Sequence, residues 1–240
     1  MSPNKPLPEE VEAHRDATWR REPENRIEDV AAAEAFIEEV GFCGAMADCR
    51  RPGPSLYVAV CGRRDAHMPR NVQKDPESAL AWNLKDGVMR RGRAYYGKLL
   101  KGRSTFIARR LVPHFQAVWG VPREKEDELL SGDARIALRV LRREWELASR
   151  DLREAGGFDH PHFNRAIDEL QKTFKIIPTD VIYKPTFTYI WSLIESRFGE
   201  ELQTKVSREE GLQSIAGAYL IGAGTIWRGE LASVTGLSRP

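Results

Sequence analysis

The chain has 240 residues, 41% hydrophobic and 30% charged, enough for one large domain or for two or three small modules with real cores. No apolar run approaches the ~18 residues of a transmembrane helix, and residues 1–24 lack the apolar centre of a signal peptide. The three cysteines are odd in number and lie in the first third of the chain, which argues against a disulfide framework. We therefore expect a cytoplasmic protein with reduced thiols.

Charge is distributed unevenly along the chain. The formal net charge is +2, from 37 basic and 35 acidic residues, yet the segment from Gly87 to Arg123 contains no Asp or Glu. This segment, which we call the basic block, carries nine cations and leaves a net charge of −7 for the rest of the chain. Because solvated surfaces usually mix both signs, the block predicts a polyanionic partner. The alternative is an ordinary solvated face above a core that includes Tyr96 and Phe106.

The first half of the chain predicts a flexible tail at residues 1–24 and then a winged-helix-like module, residues 25–120, which has one hairpin and contains the basic block. Asn25 is the predicted cap of the first helix, and Gly41 ends it. The turn Lys101-Gly-Arg103 joins two predicted strands. The predicted elements are a helix from the Asn25 cap to Val40, helices over 56–61, 77–89 and 111–119, and strands over 94–100 and 104–107.

The second half predicts a winged helix over residues 128–200. Apolar spacing and turn residues indicate helices over 135–145, 149–154 and 160–173, then strands over 174–177 and 187–190 around a polar loop. That order of elements is typical of the winged helix.

Residues 205–240 predict the opening of a further, incomplete helix-turn-helix module. Ser207 and Glu210 form a capping box before a helix that Gly222 ends, and a short helix over 225–234 follows. The third helix of such a module would begin at Pro240. The predicted fold class is therefore mainly α with small β-hairpins, arranged as tandem winged-helix modules.

Several short segments, taken in order, resemble one family. They are Phe36 to Cys43, Pro54 to Gly62, Leu80 to Asp86 and Tyr95 to Leu100, followed by the winged-helix half and the helix that opens at Ser207. Together they resemble the AlkZ/YcaQ-like DNA glycosylase superfamily, whose tandem winged-helix proteins act in DNA repair. The resemblance spans nearly everything after residue 27. It implies a curved array of winged helices that holds double-stranded DNA.

The chain departs from this family at its catalytic motif. In the glycosylases a Gln-x-Gln or Gln-x-Asp motif just after the first helix positions water for attack on the glycosidic carbon. Aligning Val40 and Gly41 with the apolar-Gly pair before that motif puts its polar positions on Gly44 and Met46. Neither residue can activate water or stabilise an oxocarbenium ion. The resemblance therefore implies DNA binding, whereas glycosylase activity would need a changed catalytic residue.

Two carboxylates are the candidates for that catalytic residue. Asp48 lies two residues beyond the expected motif, and Asp86 lies just before the basic block. A buried carboxylate beside an extruded base can activate water. The alternative interpretation puts Asp48 in a surface turn and Asp86 at a helix end.

We predict that phosphates of duplex DNA contact the cations of the block, with two tyrosines stacking or packing among them, and that the second module adds three cations. Because the helix over 160–173 carries both charge signs, we expect little sequence specificity. The predicted nucleic-acid-binding residues are Arg90, Arg91, Arg93, Tyr95, Tyr96, Lys98, Lys101, Arg103, Arg109, Arg110, Arg165, Lys172 and Lys184.

We predict no cofactor and no metal, because the spacing of the possible ligands matches no paired zinc motif: Cys43, Cys49, Cys61 and His67. The sequence thus favours a protein that binds double-stranded or damaged DNA. Two alternatives stay open: an active DNA glycosylase that excises alkylated or crosslinked bases, and a winged-helix module that binds a protein partner.

Overall fold

Two small antiparallel sheets, surrounded by helices, organise the part of the chain that the computed structural model describes, residues 7–227 and 229–237. The α-helices there are α1 (Glu9–Thr18), α2 (Val30–Val40), α3 (Leu56–Cys61), α4 (Pro76–Arg91), α5 (Val112–Trp119), α6 (Glu126–Leu129), α7 (Gly132–Glu144), α8 (Ser149–Ala155), α9 (His160–Lys172), α10 (Glu195–Phe198), α11 (Arg208–Ala223) and α12 (Glu230–Thr235). The strands are β1 (Phe42–Gly44), β2 (Ala94–Lys98), β3 (Ser104–Ala108), β4 (Glu146–Ala148), β5 (Ile176–Ile182) and β6 (Thr188–Leu193). The predicted class, mainly α with small β-structures, is confirmed.

The first sheet has the order β1-β3-β2 and contains the predicted hairpin. Tyr96 lies opposite Phe106 across the β2–β3 pair, and Lys98 lies opposite Ser104 next to the turn. The turn between them contains Gly102 at φ +67°, a left-handed conformation that glycine adopts without strain. The third strand, β1, was not predicted because three residues are too short to show an alternating pattern.

The second sheet has the order β4-β6-β5 and lies between two hydrophobic cores. Alternate residues of a strand face opposite sides of a sheet. On β5, Ile176 joins the core formed with α7, α8 and α9, whereas Ile177 and Val181 join the larger core of the first half. The sheet therefore joins the two halves of the chain, and its β5–β6 hairpin, which we call the wing, lies beside the first half.

Helix α9 packs against β5, one of the two strands of the wing. Asp159 caps it, accepting a hydrogen bond from the backbone N–H of His162 at 2.8 Å. Its apolar stripe, Phe163, Ile167 and Leu170, is buried in the second core, as the helical spacing predicts. The polar face of α9 consequently points away from that core.

The predicted tail at residues 1–24 is wrong over its described part. Residues 9–18 form α1, and Trp19 is only 4% exposed in the larger core. Arg15 explains the ordering, because its guanidinium donates to Glu230 at 2.9 Å and to the backbone oxygen of Thr225 at 2.7 Å. Partners more than 200 residues away leave no local signal in the sequence.

Two helix starts show how far the capping rules reach. The capping box of Ser207 and Glu210 is confirmed at the start of α11. The predicted cap at Asn25 is wrong, since α2 begins later and Asp29 accepts the hydrogen bond from Ala32 at 2.8 Å. Pro23 instead opens a short 3-10 turn that ends at Asn25.

The C-terminal segment shares the larger core instead of forming a core of its own. Helix α11 contributes Ile215, Tyr219 and Ala223 to that core. The third helix expected at Pro240 lies outside the described residues. Within those residues, none of the helices is both long enough and apolar enough to cross a lipid bilayer.

Candidate nucleic-acid interface

Carboxylates from distant parts of the chain compensate most of the basic block. Six of its nine cations form ion pairs with acids from α2, α9, β5 and the segment after α10. The pairs are Arg90–Asp180 (2.5 Å), Arg91–Glu34 (3.3 Å), Arg93–Glu34 (3.6 Å), Lys98–Asp168 (3.2 Å), Arg109–Glu201 and Arg110–Glu38 (2.8 Å). The block is therefore uncompensated only along the sequence, because in the fold six of its nine cations have carboxylate partners.

Three cations form a smaller group, which we call the cationic ridge: Lys101, Arg103 and Lys172. The first two lie in the β2–β3 turn, and a Cβ placed on Gly102 would lie 3.4 Å from Cε of Lys172. None of the three has a carboxylate partner among residues 7–227 and 229–237. Their charge is consequently free to attract an anion.

A cavity of about 410 Å³ opens on one side of the ridge, between β1, the loop that follows it, and β3. We call it the β1 cavity. Its wall includes Gly44 and Met46, the two positions that correspond to the family's polar motif. Its charged lining consists of three cations and one carboxylate: Arg50, Arg51, Arg103 and Asp48.

Asp48 is buried in the wall of this cavity, not in a surface turn. Its Oδ2 accepts hydrogen bonds from Nε of Arg50 at 2.8 Å and from the backbone N–H of Met68 at 3.1 Å. The hydrogen bond from Arg50 lowers the pKa of Asp48 to about 2, and the Met68 N–H adds to the effect. The carboxylate is therefore ionised at neutral pH, and its oxygens are already occupied.

A second cavity, of about 680 Å³, adjoins the β2–β3 hairpin. We call it the wing cavity, because β2, α8, α9 and the wing enclose it. Ser104 lines both cavities, so the β2–β3 hairpin separates them. The wing cavity also carries three cations and one carboxylate: Lys98, Arg150, Arg153 and Asp168.

The predicted tyrosines lie under the surface. Tyr95 is fully buried, with its ring stacked on Phe174 at 4.6 Å between centroids, and burial raises the pKa of its phenol. Its predicted contact with DNA is therefore wrong, since the ring is part of the core. Tyr96 is also buried, but it lines the wing cavity.

Asp86 is not at a helix end, because α4 continues to Arg91. It is buried, its carboxylate lies 2.7 Å from Nζ of Lys85, and the hydroxyl of Tyr183 donates to it. Asp86 lines neither cavity. Asp86 is therefore no longer a catalytic candidate: Tyr183 of the wing covers its carboxylate.

The remaining predicted residues of the second module are exposed. Arg165 lies on α9 and Lys184 in the wing loop, and neither lines one of the two cavities. Sequence reasoning missed the cations of the cavities at 50, 51, 150 and 153. The Arg150 and Arg153 pair carried a usable signal, since residues three apart share one side of a helix.

The three cysteines are free thiols. Cys43 and Cys61 are buried, and burial raises the pKa of the Cys43 thiol. Sγ of Cys49 lies 3.4 Å from Nδ1 of His67. Among residues 7–227 and 229–237, no group of three or more Cys, His, Asp and Glu side chains could hold a metal ion.

Comparison with known proteins gives one finding. Residues 27–216 match the family model described as AlkZ related. A search among curated proteins found no match, and a search among solved structures found none either.

Proposed function

The chain belongs to the AlkZ-related family, and from this membership and the cationic ridge we propose that it binds duplex DNA with little sequence specificity. The ridge contacts backbone phosphates, and the two neighbouring cavities receive the parts of the duplex that lie next to those phosphates. Phosphate contacts set the affinity and carry no base information.

The observation that carries the proposal is the position of the ridge. Lys101, Arg103 and Lys172 are free of carboxylate partners in the described part of the chain. The same holds for Arg51 in the β1 cavity and Arg153 in the wing cavity, whereas the other lining cations, Arg50, Lys98 and Arg150, are ion-paired. An excess of positive charge in concave surfaces concentrates a polyanion there. The paired arginines of the basic block, by contrast, are already engaged in intramolecular ion pairs.

The winged-helix architecture is part of the same proposal. The order α7, β4, α8, α9, β5, β6 is that of a winged helix, with α9 in the position of the recognition helix. Arg165 and Lys184, on α9 and on the wing, supply further phosphate contacts from this module. We propose the first half, with β2–β3 as its hairpin, as a second module of the same kind.

Fluorescence anisotropy with a blunt 20-base-pair duplex tests the proposal. The variant combines Lys101→Gln, Arg103→Gln and Lys172→Gln. Each lost phosphate contact lowers the slope of log K against log salt by about 0.9, so the triple variant reduces it by about 3. The loss is the same for duplexes of unrelated sequence.

The matched control removes the same charge elsewhere: Arg70→Gln, Lys74→Gln and Lys125→Gln. These positions are exposed and line neither cavity. The control keeps the wild-type salt slope. The proposal fails when wild type does not bind duplex at low salt, or when both triple variants lose the same slope.

An active DNA glycosylase is the second candidate, favoured by one observation. The positions of the family's motif and the buried Asp48 share the wall of the β1 cavity. An ionised carboxylate there can stabilise positive charge that develops on a sugar as its base leaves. Its ion pair with Arg50 reduces that effect, because the guanidinium already balances the charge.

Duplex DNA carrying N-methylated purines tests this candidate. A glycosylase leaves abasic sites that alkali converts to strand breaks, and Asp48→Asn abolishes them. Wild-type protein that binds the duplex without producing abasic sites excludes a glycosylase for N-methylated purines and leaves the binding proposal intact.

A further inference from the structure

Aromatic rings line one side of the wing and lead into the wing cavity. Tyr183, Phe187, Tyr189 and Trp191 follow one another with centroid distances of 5.6, 5.1 and 5.5 Å. Exposure falls along this series, from 47% at Tyr183 and Phe187 to 5% at Trp191. We call these four residues the aromatic ladder.

Phe187 is the ring of the ladder that is open to a ligand. It lines the wing cavity, and its two neighbours stand nearly perpendicular to it, at 71° and 82°. No parallel ring in the ladder therefore covers it. Its exposed face is therefore available to stack against a planar ring of a ligand.

The facing wall of the cavity supplies charge and hydrogen-bond donors. Arg150 and Arg153 come from α8, and Lys98 from β2. Arg153 is half-buried and has no carboxylate partner within residues 7–227 and 229–237. Asn164, on the exposed side of α9, adds an amide that can donate and accept.

We propose that the wing cavity binds unpaired nucleotides of a DNA strand, with a base stacked on Phe187 and its phosphate on Arg153. Aromatic rings beside a cationic wall are the two parts of a single-strand binding site, because every base has a face to stack and every nucleotide a charge. A paired base in a duplex exposes only its edges to a protein. This inference rests on the proposed function, which supplies the partner, DNA. It adds that the wing cavity selects unpaired strands.

Fluorescence anisotropy with labelled (dT)12 and with the blunt duplex separates the two forms. A stacked base contributes on the order of tenfold in affinity, so Phe187→Ala lowers affinity for (dT)12 by about that factor. Phe187→Leu, which stays apolar but has no ring, loses as much, and Phe187→Trp keeps or raises the affinity. Arg153→Gln lowers the salt slope for (dT)12 by about 0.7.

Trp145→Ala is the matched control, since Trp145 is 71% exposed and lines neither cavity. It leaves both affinities unchanged. The inference is overturned when (dT)12 does not bind, or when the Phe187→Ala and Phe187→Leu variants bind it like wild type. In both cases duplex binding, lost only in the ridge variant, still stands. Conversely, binding of (dT)12 that depends on Phe187, without any duplex binding, supports this site and removes the duplex proposal.

Discussion

The two cavities have the same ratio of cations to carboxylates but hold their carboxylates in opposite ways. In the β1 cavity, Asp48 has a side chain only 5% exposed and is held by Arg50 and by the backbone of Met68. In the wing cavity, Asp168 is 43% exposed, and among the described residues its one ion-pair partner is Lys98, at 3.2 Å. The first carboxylate therefore holds the cavity together, whereas the second only lowers its positive charge. The wing cavity is also richer in aromatic rings: five line it, whereas Phe42 is the one aromatic residue in the described lining of the β1 cavity.

The largest effect expected is on the wall of the β1 cavity, through Glu230. Helix α12 contributes Val234 to that wall, and Glu230 anchors the helix by accepting from Arg15 at 2.9 Å and from Tyr219 at 2.7 Å. Glu230→Ala leaves Arg15 buried without its ion-pair partner, which costs about 3–5 kcal/mol in the free energy of unfolding.

Urea denaturation measures this loss, and hydrogen exchange shows the opening of α12. Glu195→Ala, at an exposed carboxylate on α10, changes stability by less than about 0.5 kcal/mol. A loss near that of the control would mean that the Arg15 pair does not hold α12 on the cavity.

Asp48→Asn comes next and carries a pH signature. The folded pKa of about 2 lies below the ordinary 3.8, so the ion pair stabilises the protein above pH 4, and this stabilisation disappears as pH falls towards 2. The shift corresponds to about 1–2 kcal/mol once the exposure of Arg50 is considered. We expect the variant to be less stable by this amount at pH 7 and equal to wild type near pH 2.

Asp65→Asn is the control, because that side chain is 84% exposed. Unfolding curves that keep wild type and Asp48→Asn equally far apart at pH 7 and at pH 2 would contradict the ionic origin of the effect.

These residues also show which parts of the molecule local sequence patterns encode. The β2–β3 turn, α9 with its Asp159 cap and the capping box of Ser207 depend on neighbours within a few positions, and the sequence predicts them. The ion pairs of the basic block do not depend on such neighbours, because the carboxylates that form them lie some 57 to 92 residues away in the chain. A charge run therefore predicts local charge, and only the fold decides how much of it remains free.

The candidate site divides in the same way. Lys101, Arg103 and Lys172 were among the predicted residues, the first two as cations of the basic block and the third as a cation of the helix over 160–173. Asp48 was predicted for its place beside the motif, and it does lie in the β1 cavity. The burial of Tyr95 and Asp86 could not be predicted, because partners from the second half, Phe174 and Tyr183, cover them.

Tyr183→Phe, at the outer end of the aromatic ladder, has a smaller expected effect. The Tyr183 hydroxyl donates to Asp86 and accepts from Nε1 of Trp82 at 2.5 Å, so the variant loses about 1 kcal/mol. Burial and then Asp86 raise the pKa of Tyr183 to about 12, from an ordinary 10. The neutral phenol thus stabilises the fold below pH 10, and this contribution is lost as pH rises through 12.

The Phe variant keeps the ring of the ladder, so we expect unchanged affinity for (dT)12. Thermal unfolding at pH 8 and at pH 11.5 measures the difference from wild type, which shrinks at the higher pH. A constant difference would show that the hydroxyl acts by packing and not by its proton.

The smallest effect on stability separates the two carboxylates directly. Asp168→Asn is the same chemical change as Asp48→Asn, but it removes an exposed surface pair with Lys98, whose loss costs less than about 0.5 kcal/mol. The variant also frees Lys98 and removes a carboxylate from the lining of the wing cavity. We therefore expect affinity for (dT)12 to rise a few-fold and the salt slope to become steeper by about 0.7. Glu128→Gln, an equal charge change at an exposed position outside both cavities, leaves the affinity as it was. If Asp168→Asn binds (dT)12 no more tightly than Glu128→Gln, the charge of the wing cavity does not act on the strand. The contrast between the buried Asp48 and the exposed Asp168 would then apply to stability alone.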